Sequence, residues 1–556
     1  MAFQLSPGVN VSEVDLTTVV PSVATTVGGL AGNFAWGPAE EVTIIPSEIR
    51  LADTFGKPND TTFQYFFTAA NFLSYGSDLR LVRAANTTVK DATTSGVGVQ
   101  ILNTTDYNLN HSSGSGSDDF TAKYPGTFGN SIGVSICDSN TFTGWAYSSS
   151  FDSAPATSDY ATAKDSSNDE LHIVVFDVTG VVSGTAGTIL EKFAFVSKAS
   201  DAKNSDGSTN YYKDVLNNRS KYIWWTRHNS EGTNWGTPAT TTAAFDELTL
   251  ADTFNLTGGT DVVPTTGDLQ RAYDLFENAD AIDINLLMTG PTATNTLPNY
   301  VIALAESRKD CLAFISPVQA DVVDNIGAEA TDVVAFRNTL TSSSYAVMDS
   351  GYKYQYDKYN DTYRWVPLNG DIAGLCVRTD SQRDPWFSPA GLSRGVIKNV
   401  VKLSWNPTKT ERDEIYKVGV NPVVTFPGEG TILYGDKTLL SRPSAFDRIN
   451  VRRLFIVLEK SIAKAARSSL FEFNDEFTRA AFVNLVEPFL RDVQGRRGIY
   501  DFRVVCDNTN NTAQVIDSNE FIGDIYVKPA RSINYIQLNF VAVRTGVSFD
   551  EVVGQF

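Results

Sequence analysis

The sequence predicts an α+β chain of several domains: a mixed α/β core, a discontinuous host domain carrying a β-rich insertion, and extended N- and C-terminal arms. Three observations carry that expectation. The chain has 556 residues, whereas single hydrophobic cores stop growing near ~250–300 residues. Helical and strand periods are clear before residue 86 and after 252, while the residues between them read as loops and short β-rich runs. Composition shifts at the same places. Residues 91–250 hold 43 Ser and Thr with 9 basic and 18 acidic residues, against 19 Ser and Thr with 22 basic and 18 acidic residues in 391–550.

The elements follow in order. Val9-Asn-Val11, preceded by Ser6-Pro7-Gly8, reads as an extended segment that must pair with something distant or with another chain. Phe63, Phe66, Phe67, Ala70 and Leu73 share one helical face, and the helix is expected to end with Gly76 as its C′ residue. Leu79–Ala84 reads as a strand. Within the insertion, 110–119 is a solvated loop, and Leu171–Val178 and Ile189–Val196 are strands. Leu269, Ala272, Tyr273 and Phe276 repeat the helical stripe, and Ile282, Ile284, Leu286 and Met288 alternate as a strand. A helix near Tyr300–Lys309 then leads into a strand at Cys311–Ile315. Strand, helix, strand implies a parallel pair with a right-handed crossover. Tyr352, Tyr354 and Tyr356 alternate, and Tyr359, Tyr363 and Trp365 follow across Asn360-Asp361, which reads as a hairpin with aromatics on one face. Helices near Arg448–Ser468 and Asp475–Arg491 precede strands at Ile499–Cys506, Phe521–Val527 and Ile533–Val543. The expected divisions are an arm at 1–23, a host domain at 24–86 plus 252–407, an insertion at 87–251, and a C-terminal core at 408–556.

Chemistry finds little purchase. The formal charge of −19 and pI near 4.7 oppose binding to a phosphate backbone. The first basic residue is Arg50, and no run nears the ~18 apolar residues of a membrane span, so neither a signal peptide nor membrane insertion is expected. Cys137, Cys311, Cys376 and Cys506 form no C-x-x-C pair and read as buried thiols in a reducing cytoplasm. Three histidines (His111, His172, His228) are few for hydrolytic or metal chemistry. In Gly430–Thr438, Asp436 stands where a phosphate loop needs Lys. No enzyme activity and no cofactor are expected. A sugar-stacking role for the aromatic hairpin competes with plain cross-strand packing, and the Ser/Thr-rich insertion leaves a carbohydrate-binding adhesin as the alternative reading.

One charged pattern is ordered. Arg453, Lys460, Lys464 and Arg467 fall within roughly 60° of arc on a helix. Val451, Leu454, Phe455, Leu458, Ile462 and Ala465 occupy the opposite face, and Ile456 and Val457 border the stripe. It is either a solvated face or a surface that docks on acidic protein.

Several runs together resemble a known family. They include Ser6-Pro-Gly-Val9, Phe34-Ala-Trp-Gly-Pro38, Asn71-Phe-Leu-Ser-Tyr-Gly76, Leu256-Thr-Gly-Gly259 and Tyr352-Lys-Tyr-Gln-Tyr-Asp357. Further on are Ser388-Pro-Ala-Gly391, Leu433-Tyr-Gly-Asp-Lys-Thr438, Phe446-Asp-Arg-Ile-Asn450 and Pro529-Ala-Arg-Ser-Ile-Asn-Tyr535. On these residues the chain resembles the contractile tail sheath proteins of myovirus-type, T-even-like bacteriophages, over roughly 1–86 and 252–556. The resemblance implies a structural subunit of the virion, assembled in the host cytoplasm. Its partners would be further copies in stacked six-fold rings, a tail tube protein, and baseplate and tail terminator proteins. It also implies arms exchanged between subunits, for which Val9, Val11, Val14, Ile536, Leu538 and Phe540 are the candidates. The basic stripe Arg453, Lys460, Lys464 and Arg467 would then face an acidic tube.

Overall fold

The computed structural model describes residues 20, 23–114, 116, 118–242, 244–534 and 537. A seven-stranded sheet organises the molecule. In sheet order its strands are Val420–Asn421, Ala346–Asp349, Leu312–Ile315, Leu286–Met288, Gly28–Gly32, Leu79–Arg83 and Val42–Ile45. All neighbours pair in parallel except the antiparallel edge strand Val42–Ile45. All six parallel strands are buried almost throughout, as parallel strands covered on both faces must be.

The strand Gly28–Gly32 has Leu79–Arg83 on one side and Leu286–Met288 on the other, so the sheet is assembled from both flanks of the insertion. Its glycines are steric requirements. A Cβ on Gly28 would stand 2.5 Å from the Phe72 ring, and one on Gly32 would stand 2.2 Å from the Tyr65 ring. Those rings belong to the helix Phe63–Leu73. The last strand, Val420–Asn421, and the buried Val423, Leu433 and Leu439 continue the same core beyond residue 407, the boundary expected from the sequence.

The predicted helix Phe63–Leu73 and strand Leu79–Arg83 are present. Gly76 is not the left-handed C′ residue expected, because the helix closes through Ser74 and Gly76 has no positive φ. Its lack of a side chain serves packing instead, since a Cβ there would meet Val377 at 2.7 Å. The predicted strand from Ile282 shortens to Leu286–Met288, which pairs in parallel with Leu312–Ile315 after the helix Thr296–Arg308.

The insertion has its own core. Strands Ile189–Ser197, Glu170–Asp177, Ile132–Cys137 and Asp252–Asn255 form an antiparallel sheet in that order. A separate apolar cluster, including Val134, Ile173, Val175 and Leu216, lies among the insertion's elements. Two host residues seat it. Trp36 packs against Phe128 and Tyr124 at 4.7 and 5.4 Å. The buried Arg83 donates to the carbonyls of Phe34, Gly37 and Pro125 at 3.0, 2.9 and 2.7 Å.

The aromatic hairpin forms from Tyr352–Asp357 and Thr362–Pro367. Tyr354 stacks on Tyr363 at 5.5 Å and meets Trp365 at 4.7 Å, with the Lys402 ammonium over the Tyr354 and Trp365 rings. The core-facing positions are polar. Lys353 Nζ lies 2.9 Å from both carboxylate oxygens of Asp371, each side chain fully buried, and Gln355 accepts from Asn71 at 2.8 Å. Burial lowers the Lys353 pKa and raises that of Asp371, and each is countered by the other's charge.

Asp349 ends a central strand nearby and accepts from Ser316 Oγ at 2.7 Å and from the Gly351 amide at 2.9 Å. Burial pushes its carboxyl up to about 8, against these hydrogen bonds and with a contribution from Asp371. A raised carboxyl binds its proton more tightly folded than unfolded, so stability is full below about pH 4 for this group and falls as pH rises toward 8. Asp349→Asn is therefore expected to flatten that fall, by several kcal/mol in total, in urea titrations compared at pH 5 and pH 8.

Candidate assembly interface

The C-terminal part is built on the helix Ile449–Ala466, which feeds two cores at once. Ile449 and Ile456 join the sheet core. Leu454, Leu458 and Ile462 pack with Phe482, Val486, Leu490 and Val493 of the helix Glu476–Gly495. The predicted apolar face is therefore real, and a second buried face lies on the other side of the helix, next to the basic stripe. Ile456, which interrupts the basic stripe in sequence, marks that second face.

The four basic residues divide accordingly. Arg453 is buried and bidentate on Asp380, at 2.8 and 2.6 Å, and also donates to Thr25 O at 3.3 Å. Burial alone would lower its pKa; the Asp380 carboxylate outweighs burial and holds the guanidinium charged. Lys460 pairs with Asp283 and lies 3.7 Å from Asp310. Arg467 bonds Asp280 at 2.8 Å with both side chains exposed. Lys464 is exposed. Three of the four thus face carboxylates of the same chain, along the seam between the two cores.

Beyond the helices, Ile499–Val505 and Asp524–Pro529 pair as an antiparallel two-stranded sheet. Phe502, Val504, Ile525 and Val527 pack toward the C-terminal core, while Tyr500 and Tyr526 are exposed. Among the described residues no further strand pairs with either edge; an unpaired sheet edge is a template for a further strand. The arm candidates Val9, Val11, Val14, Ile536, Leu538 and Phe540 lie outside the described residues. Sequence reasoning passed over one feature, the exposed Leu470, Phe471 and Phe473 between the two helices, with Phe477 exposed in the first turn of the second. Its signal was available: large apolar residues amid Ser, Asn and acidic residues in a connection.

The four cysteines are buried and free. Among the described residues no group of three or more His, Cys, Asp or Glu is placed to hold a metal ion, and no helix is long and apolar enough to cross a membrane.

Residues 25–84 match the family described as tail sheath protein Gp18 domain III N-terminal region, 263–439 the phage tail sheath protein central domain, and 441–542 the phage tail sheath C-terminal domain. The tail sheath protein of Vibrio phage KVP40 is 34% identical over 675 positions, covering 99% of this chain and all of the relative. The chain belongs to the phage tail sheath protein family. The tail sheath protein of Enterobacteria phage T4 is likewise 34% identical, with 99% of each chain covered. The solved sheath tail proteins of Listeria innocua and Desulfitobacterium hafniense share the fold. Each is 12% identical with a TM-score of 0.54, covering 92% and 94% of this chain and 97% and 100% of theirs. As a tail sheath protein the chain is a structural subunit of a contractile phage tail, a part of the virion. The adhesin alternative finds no support in these relatives.

Within this sheath protein the buried Arg453–Asp380 pair and the exposed Lys464 differ sharply in expected cost. Arg453→Met leaves Asp380 buried without its partner and is expected to lower stability by about 3–5 kcal/mol. Lys464→Glu is expected to stay within about 0.5 kcal/mol of the parent. Urea unfolding of the two variants checks both values.

Proposed function

We propose that the subunits polymerise as stacked six-fold rings around a tail tube and contract on a baseplate signal to drive the tube through the host envelope. A tail terminator protein would cap the stack, and assembly would take place in the host cytoplasm. The observation that carries this reading is the two-stranded sheet at Ile499–Val505 and Asp524–Pro529, left open at both edges among the described residues in a protein of the sheath family. The anti-feeding prophage protein that shares the fold, 14% identical with a TM-score of 0.51, was solved as a helical sheath in the contracted state.

The open edges fit extended segments from neighbouring subunits. The arms carrying Val9, Val11 and Val14, and Ile536, Leu538 and Phe540, would add to them by β-augmentation, main-chain hydrogen bonds giving continuity and alternate side chains giving register. Rigid bodies joined by such arms can rotate without losing their connections. Contact with an acidic tube is assigned to the exposed end of the basic stripe, Lys464 and Arg467. Arg453 and Lys460 would hold the helix from within. The insertion at 87–251, acidic and separately cored, would sit on the outside.

Deleting residues 1–14 is expected to leave a folded, soluble monomer and to abolish polymer in negative-stain electron microscopy; sheaths of normal appearance from that truncation would overturn the arm assignment. The double variant Lys464→Glu, Arg467→Glu is expected to slow assembly on tubes at least several-fold more than self-polymerisation. Equal slowing of the two reactions would remove the tube assignment.

A further inference from the structure

The chain leaves the two-stranded sheet at Pro529 and crosses back over the start of the helix Ile449–Ala466. Alternate residues of this crossing are held. Asn450 Nδ2 donates to Ala530 O at 3.2 Å. Ser532 Oγ donates to Asp436 Oδ2 at 2.5 Å. The Asn534 amide, turned so that its oxygen faces the node, accepts from Arg448 Nη2 at 3.0 Å and from Tyr416 OH at 3.1 Å. Between them Arg531 and Ile533 are exposed to solvent. A period of two, with every second position tied, describes an extended segment laid along a prepared surface.

That surface is rigid for reasons independent of the crossing. Arg448 Nη1 donates to Tyr416 OH at 2.7 Å and to Asp436 Oδ1 at 3.2 Å. The backbone at 436–438 pairs with 447–449 through Ile449 N to Asp436 O at 2.8 Å and Thr438 N to Asp447 O at 3.0 Å. Asn421, on the last strand of the central sheet, accepts from Lys437 N at 2.7 Å and donates to Lys437 O and Met348 O at 2.8 and 3.1 Å. An unbroken line of hydrogen bonds therefore runs from the central sheet through Asn421, the 436–438 segment and Arg448 to Ser532 and Asn534.

We propose that Tyr416, Asp436 and Arg448 form a clamp that anchors the base of the C-terminal segment to the central sheet. Load on the 22 residues after Asn534 is then carried by the seven-stranded sheet and not by the small Ile499–Pro529 pair. This rests on the reading that those residues pair with a neighbouring subunit. The charge-assisted contacts at Asp436 and Arg448 suit an anchor, since they are short, directional and stronger than neutral ones.

The test uses the full chain. Arg448→Met removes the guanidinium at the node, and Asn534→Ala removes only a surface contact, so a folding defect in the first leaves the second informative. Both are expected to speed trypsin cleavage after Arg531 by about tenfold in the soluble protein, read by mass spectrometry, because cleavage there needs local release of the crossing. Both are also expected to shorten assembled sheaths at least threefold in negative-stain images. Cleavage at the parent rate in both variants overturns the clamp. Faster cleavage with sheaths of parental length overturns its role in carrying load. A truncation to residues 1–534 separates the two ideas: if it still polymerises, the arm reading fails and the load role with it, while the cleavage rates still decide the clamp.

Discussion

The strand Gly28–Gly32 is the constraint on which the other elements depend. It sits where the sheet joins the residues before the insertion to those after it, and the Phe72 and Tyr65 rings press on it so closely that Gly28 and Gly32 leave no room for a Cβ. Close approach of a helix to a parallel sheet is how both faces become covered, and covered faces suit a wholly apolar neighbour such as Leu286–Met288. The same device recurs on the neighbouring helix Asn369–Gln382. A Cβ at Gly370 would stand 2.4 Å from Thr68 O, and one at Gly374 would stand 2.4 Å from the Tyr75 ring.

That constraint also explains what the sequence hid. Long periodic elements were legible: the helix Phe63–Leu73, the strands Leu79–Arg83 and Leu312–Ile315, the hairpin at Tyr352–Pro367 and both C-terminal helices stand near their expected positions. Gly28-Gly-Leu-Ala-Gly32 was not, because glycine is depleted in strands and only tertiary packing requires it here. Gly76 misled for a related reason: its smallness answers to Val377 and not to backbone torsion. The hairpin's alternation was legible in phase but not in sense. Most of its aromatics face outward while Lys353, Gln355 and Asp357 are buried, a reversal that depends on partners such as Asp371 and Asn71 on other elements.

The basic stripe shows the limit of reading one element alone. Spacing placed four cations on one helical face, and the expected acidic surface exists for three of them within the chain itself, at Asp380, Asp283 and Asp280. Helical geometry reveals which residues share a face; it cannot reveal whether the matching charges come from another molecule or from a distant part of the same chain. Burial then grades the members. Arg453 needs Asp380 because an unpaired charge is costly away from water, while the exposed Arg467–Asp280 pair adds little.

The position of Gly28–Gly32 has a consequence during synthesis. Its partner Leu286–Met288 is encoded some 250 residues later, so at ribosomal speeds of ~5–20 residues per second the strand waits roughly 10–50 s for one of its two neighbours. Throughout that interval the half-built sheet exposes an apolar edge to any other nascent chain. The insertion emerges in the meantime with an almost self-contained core and its own antiparallel ladder. Its last strand, Asp252–Asn255, and the Trp36 contact tie it to the host. A unit that collapses early holds residues 84 and 252 near one another and shortens the effective loop that must close.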